Sequence, residues 1–117
     1  MSIQTKRFDQ PDEARAFVKG RFDVAKVRGI TIGRAAYEPG WKWSDHVGRD
    51  LGQRYCEVEH VGLVLAGRAA VQMREGGETR VLEPGDLFWV PPGHDSWVVG
   101  NEPYVSIHFL GAEDYAK

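Results

Sequence analysis

Residues Glu83-Pro84-Gly85-Asp86-Leu87-Phe88-Trp89-Val90-Pro91-Pro92-Gly93-His94 decide how this chain is read. Pro84 presets its φ and Gly85 accepts a positive one, so the stretch opens with a turn. Leu87 to Val90 is an apolar run too short for a core helix and bounded by breakers on both sides. It reads as a strand buried on both faces. Pro91 and Pro92 each remove a ladder donor, and with Gly93 they stop the strand. An imidazole, His94, follows at once, with Asp95, Ser96 and Trp97 behind it. A histidine delivered by a rigid turn at the end of a buried strand suits a ligand role; the alternative is a loop histidine beside a proline turn.

Upstream, the pattern repeats in short pieces. Val24 and Val27 lie in a first run, and Ile30 to Tyr37 alternates between two faces before the Pro39-Gly40 turn. Trp41 and Trp43 share a strand face. Residues 48–54 read as a loop, and residues 55–67 as a stretch whose end is a buried strand stopped by Gly67. Arg68 to Met73 and Thr79 to Leu82 flank a hairpin turn at Glu75-Gly76-Gly77-Glu78. After the central stretch come Trp97-Val98-Val99 and an alternating run from Tyr104 to Leu110, then a short polar tail over 111–117. Strands with turns between them and no long helix suit a sandwich or barrel. Near the start, Pro11 followed by Asp12 and Glu13 suits a helix's first turn. We expect a weak two-turn helix over 12–18 within an N-terminal arm, residues 1–22, ahead of a single domain, 23–117.

The 117 residues suit one hydrophobic core. Fourteen glycines and six prolines spaced between apolar runs point to turns rather than disorder. A formal charge of −2 gives no reason to expect nucleic acid or an anionic membrane as partner. The single cysteine, Cys56, excludes an intrachain disulfide. Charged residues throughout the first twenty positions leave no signal-peptide core, and a cytoplasmic protein is expected.

The central stretch resembles the second signature of the cupins, the small double-stranded β-helix proteins. Gly85, five residues, then Pro91-Pro92-Gly93 match it in register. The family's histidine usually falls three residues after that glycine, where this chain has Ser96; here His94 follows Gly93 directly. The first cupin signature is glycine, five residues, His-x-His, three or four residues, glutamate, six residues, glycine. Gly40 leads to His46 at its first histidine. Counting back from Gly67 sets His60 at the glutamate and Cys56 at the second histidine, with 48–54 as an insertion. The resemblance, close to small single-domain bacterial cupins, implies an all-β cupin (jelly-roll) barrel. It also implies a metal held by His46, Cys56, His60 and His94, and a pocket lined by Trp41, Trp43, Phe88 and Trp97, with His108 beside it.

Imidazole and thiolate donors suit Zn²⁺, Fe²⁺, Ni²⁺ or Cu. The resemblance implies a divalent transition metal such as Zn, Fe, Ni or Mn. Were 56–60 fully extended, the Cα atoms of Cys56 and His60 would stand about 13 Å apart, so shared ligation requires a turn at 57–59. Cys56 reads equally as a small buried apolar residue, and Glu57 and Glu59 as solvated acids. The expected function is a metal-dependent enzyme on a small organic molecule, with oxygenase, isomerase and decarboxylase chemistry all open. The alternative is a non-catalytic small-molecule binding or sensing protein. Pairing through sheet edges into a homodimer is expected.

Overall fold

The computed structural model describes residues 1–74 and 76–117; of the turn expected over 75–78, Glu75 lies outside them. Nine strands form two antiparallel sheets. They are β1 (Glu13–Phe17), β2 (Gly20–Val27), β3 (Ile30–Tyr37), β4 (His60–Ala66), β5 (Arg68–Met73), β6 (Thr79–Leu82), β7 (Leu87–Val90), β8 (His94–Val99) and β9 (Tyr104–Leu110). The large sheet runs β1-β2-β3-β9-β4-β7 and the small one β6-β5-β8. Single bridges from Lys42 to Trp97 and from Cys56 to His94 extend the small sheet beyond β8. No helix among the described residues is long and apolar enough to cross a membrane.

The core between the sheets holds Phe22, Val24, Ala35, Tyr37, Trp41 and Val64, all at most 4% exposed. Two glycines shape it. A Cβ at Gly33 would meet the Phe22 ring at 2.2 Å, and one at Gly62 the Phe88 ring at 2.6 Å. Both phenyl rings therefore press against bare backbone, a closeness that only glycine permits.

Three expectations are corrected. Residues 13–17 form strand β1, not a helix, and pair along β2 from Glu13↔Val24 to Phe17↔Gly20. A two-turn helix could not repay its own nucleation, whereas the strand gains a ladder and buries Arg15. The expected boundary at residue 22 consequently falls inside β2. Strand β7 is buried on one face only: Phe88 and Val90 point inward, while Leu87 and Trp89 are 73% and 62% exposed. The small sheet covers the inner face of the large sheet, and among the described residues no further layer covers the outer one. Finally, the tail is anchored. Ala112 and Tyr115 are buried, and the Arg15 guanidinium donates to the carbonyls of Ala112 (2.8 Å), Glu113 (3.0 Å) and Tyr115 (2.5 Å).

Candidate metal centre and cavity

Cys56 and His60 reach one point from different sheets. Cys56 is bridged to His94 beside the small sheet: its N–H donates to the His94 carbonyl at 2.7 Å, and its own carbonyl accepts from Gly93 at 2.8 Å. His60 opens β4 in the large sheet, opposite Val90. Residues 57–59 cross between the sheets, so the chain never runs extended from 56 to 60. Cys56 Sγ stands 3.6 Å from His60 Nε2. His94 opens β8 immediately after Gly93, whose φ is +91° and whose missing side chain leaves room for the Arg74 guanidinium. One donor atom from each of Cys56, His60 and His94 lies within 4.8 Å of the other two, and all three residues are buried.

The donor chemistry of this group fits a transition-metal ion. His94 Nδ1 stands 2.7 Å from the Pro91 carbonyl. A carbonyl only accepts, so Nδ1 carries the proton and Nε2 keeps a lone pair, the usual way an outer hydrogen bond orients a ligating imidazole. Among the described residues His60 has no hydrogen-bond partner at Nδ1, and Nε2 faces the cysteine sulfur. A buried imidazole left so poorly satisfied is costly unless something else takes its lone pair. Burial holds the imidazoles neutral: His60 is pushed well below the usual range, with His108 and His94 adding to the effect, and His94 is lowered too. Burial also pushes the Cys56 thiol up to about 11. Two neutral imidazoles and a thiol that a cation could deprotonate match Zn²⁺, Fe²⁺ or similar ions better than Mg²⁺ or Ca²⁺. Three such donors would leave a fourth position open on a tetrahedral ion.

His46 does not join this group. Residues Ser44–Gly48 form a π-helical turn that runs into a helical turn at Arg49–Leu51. The coil carries His46 back onto its own start, where Nδ1 accepts the Lys42 N–H at 3.0 Å. Asp95 caps the turn by accepting from Ser44 N (3.0 Å) and Ser44 Oγ (2.8 Å).

The centre borders a cavity of about 40 Å³ inside the barrel. His60, His94, His108, Trp41 and Phe88 line it, together with Tyr37, Tyr104, Tyr115, Ser96 and a wall of Ala69, Val71, Leu82 and Val90. Trp43 and Trp97 do not. Trp43 packs its indole against Gly48 under the helical turn, and Trp97 lies beneath the Lys42 ammonium, 5.5 Å away. His108 is buried deep in the wall. It sits opposite Gly33 on one side and Gly62 on the other, between the edges of Phe22 and Phe88. Its Nε2 shares a hydrogen bond with Ser106 Oγ at 3.0 Å, Nδ1 has no partner among the described residues, and burial lowers it to about 4. The tyrosines went unnoticed in the sequence. Tyr37 and Tyr115 join hydroxyl to hydroxyl at 2.7 Å, both wholly buried. The spacing of Ala112 and Tyr115, one helical turn apart in an otherwise polar tail, was the available signal.

No family model matches the chain. It is 35% identical over 75 residues to an (R)-mandelonitrile lyase of Granulicella tundricola. That match covers 64% of this chain and 48% of the lyase, so the chain spans about half the length of this relative. Among solved structures it is similar to a Rhizobium leguminosarum protein of unknown function, with TM-score 0.63 and 22% identity over 92% of this chain and 95% of that one. It is also similar to the oxalate decarboxylase of Lactobacillus farciminis, with TM-score 0.58 and 16% identity over 85% of this chain and 30% of the enzyme. With the two sheets and their strand order, these likenesses define the fold: the chain has the cupin fold, a double-stranded β-helix.

Proposed function

We propose that this protein is a divalent-metal-dependent enzyme that acts on a small, uncharged organic molecule inside the barrel. The observation that carries the reading is the buried Cys56–His60–His94 group, two of whose members also line the cavity. A divalent ion bound there would supply Lewis-acid polarisation of an oxygen on the bound molecule. The lining supports the choice of substrate. It contains no lysine, arginine, aspartate or glutamate among the described residues, so an ammonium group would enter without a counter-charge, at high desolvation cost, and a carboxylate would have only the bound ion to answer it. Aliphatic and aromatic walls hold an apolar body; the tyrosine hydroxyls and Ser96 offer hydrogen bonds to an oxygen or nitrogen acceptor. His108 is the cavity imidazole outside the ligand group. Neutral and backed by Ser106, it is the group suited to take a proton from a bound hydroxyl or return one. The likeness to a mandelonitrile lyase makes neutral α-hydroxynitriles, and the aldehydes they release, the first compounds to assay.

Elemental analysis of the purified chain is the first test. A first-row metal near one per chain, lost in His60→Ala and retained in His46→Ala, is expected. Protein that is metal-free and also refuses added Fe²⁺, Ni²⁺ and Zn²⁺ sinks the reading. Metal-loaded protein that is stabilised by such compounds but never converts them points instead to a binding role.

A further inference from the structure

We infer that the cavity opens between β6 and β7 into an outer groove, and that the substrate occupies both spaces. Its oxygen-bearing end lies in the cavity, and an uncharged apolar tail lies in the groove. The inference deepens the reading above and rests on the same cavity, though not on the ion. Space is the first argument. A cavity of about 40 Å³ holds on the order of three water-sized groups, so a larger molecule has to project from it. A groove of about 280 Å³ adjoins it, and Val71, Leu82 and Val90 line both.

Strand periodicity explains the continuity. Alternate residues of a strand share a face. Along β5, Ala69 lines the cavity, Val71 lines both spaces and Met73 lines the groove. Strand β6 follows in register: Leu82, opposite Ala69, lines both spaces, and Arg80, opposite Val71, lines the groove. On β7, Phe88 lines the cavity, Val90 both spaces, and the next residue, Pro91, the groove. Strands β6 and β7 are edges of different sheets, and no backbone ladder joins them among the described residues. Side chains alone close that seam. Met73 stands opposite His94 in the β5–β8 pairing, so the groove begins beside the candidate ion site.

The lining selects the tail. Val71, Met73, Leu82, Val90 and Pro91 make its wall apolar. The charged groups that line it, Arg80 and Glu78, bond to each other at 2.5 Å, with side chains 73% and 61% exposed. That pair answers its own charge at the rim and leaves aliphatic stems toward the ligand. An alkyl tail gains by leaving water there, whereas a charged one meets no free counter-charge.

Linear primary alcohols, butanol and hexanol, are the probes. They are titrated into the metal-free full chain and followed by NMR of isotope-labelled methionine methyls and tryptophan indoles. With two methionines and four tryptophans in the chain, Met73 reports on the groove and Trp41 on the cavity wall. Hexanol should move both signals with a single dissociation constant. That constant should lie at least about tenfold below butanol's, since each buried methylene contributes about fourfold. Met73→Glu should weaken hexanol about tenfold and butanol less than about threefold. In Val71→Trp, which fills the shared wall, hexanol should no longer move the Trp41 signal. Far-UV circular dichroism checks both variants, and if Val71→Trp does not fold, Met73→Glu decides. Affinity that does not change with chain length overturns the inference. So does hexanol that moves Trp41 without Met73, Met73 without Trp41, or the terminal Met1 as strongly as Met73. Because no metal is added, a chain that refuses metal would sink the enzymatic reading and leave this result standing or falling by itself.

Discussion

Strands β4 and β9 carry opposite chemistry on their two sides. Facing the barrel they present His60, Ser106 and His108; facing outward they present Leu65, Ile107 and Phe109. In most half-exposed sheets the apolar face is the inner one. Here the interior of the large sheet is partly given over to imidazoles, and much of its apolar surface lies outside. The small sheet keeps the ordinary pattern along one row, burying Leu82, Ala69 and Val98 side by side. Burial alone therefore does not distinguish packing from chemistry in this molecule. What does is whether a buried side chain finds its partners inside the protein. Phe22 does, against Tyr115 and His108; the imidazoles largely do not.

The largest expected effect is on the part of the inner face that serves packing. Phe22 is fully buried over the bare backbone of Gly33, and Phe22→Ala should cost about 3–5 kcal/mol of unfolding free energy in urea titrations. The histidine side of that face should respond to acid. In metal-free protein the unfolded chain takes a proton on each histidine near pH 6.5, whereas folded His108 resists until about 4. Between those values the unfolded state binds more protons, so stability should fall as the pH drops below 6.5 and level off below about 4. His108 alone accounts for about 3 kcal/mol of that loss. His60 and His94, lowered as well, should deepen it; urea midpoints of the apo chain that stay flat from pH 7 to 4 would contradict this. A smaller loss, about 2 kcal/mol, is expected for Arg15→Met, which strands three tail carbonyls while keeping the side-chain volume. The smallest belongs to the outer face. Leu65→Ser, at a half-exposed position, should change the unfolding free energy by no more than about 0.5 kcal/mol in the same urea titrations.

Much of the barrel could be read from punctuation. The Pro39-Gly40, Pro84-Gly85 and Pro91-Pro92-Gly93 breaks bracket real strand ends, and β3, β5, β6, β7 and β9 span the residues that alternation and turn chemistry indicate. What the pattern could not convey was sidedness. Leu87-Phe88-Trp89-Val90 looks the same whether both faces are covered by the fold or one awaits another surface. The site was legible in kind more than in membership. Counting from Gly40 assumed an extended chain through His46, and a helical turn capped from outside by Asp95 removed that residue from the interior. Cys56 looked too distant from His60 because the count could not foresee a crossing between sheets. His108 looked peripheral because its cross-strand partners Gly33 and Gly62, which make room for the Phe22 and Phe88 rings on either side of it, lie about 75 and 46 positions away along the chain.

Arg15 also makes the two chain ends mechanically one piece. The guanidinium on β1 grips the carbonyls of 112, 113 and 115, and Tyr115 reaches from there to the hydroxyl of Tyr37 in the cavity wall. A fusion partner or affinity tag attached after Lys117 would pull on the same seven residues that close the barrel. Guest selection measured with such an appendage, and again after its removal, would compare two differently sealed chambers.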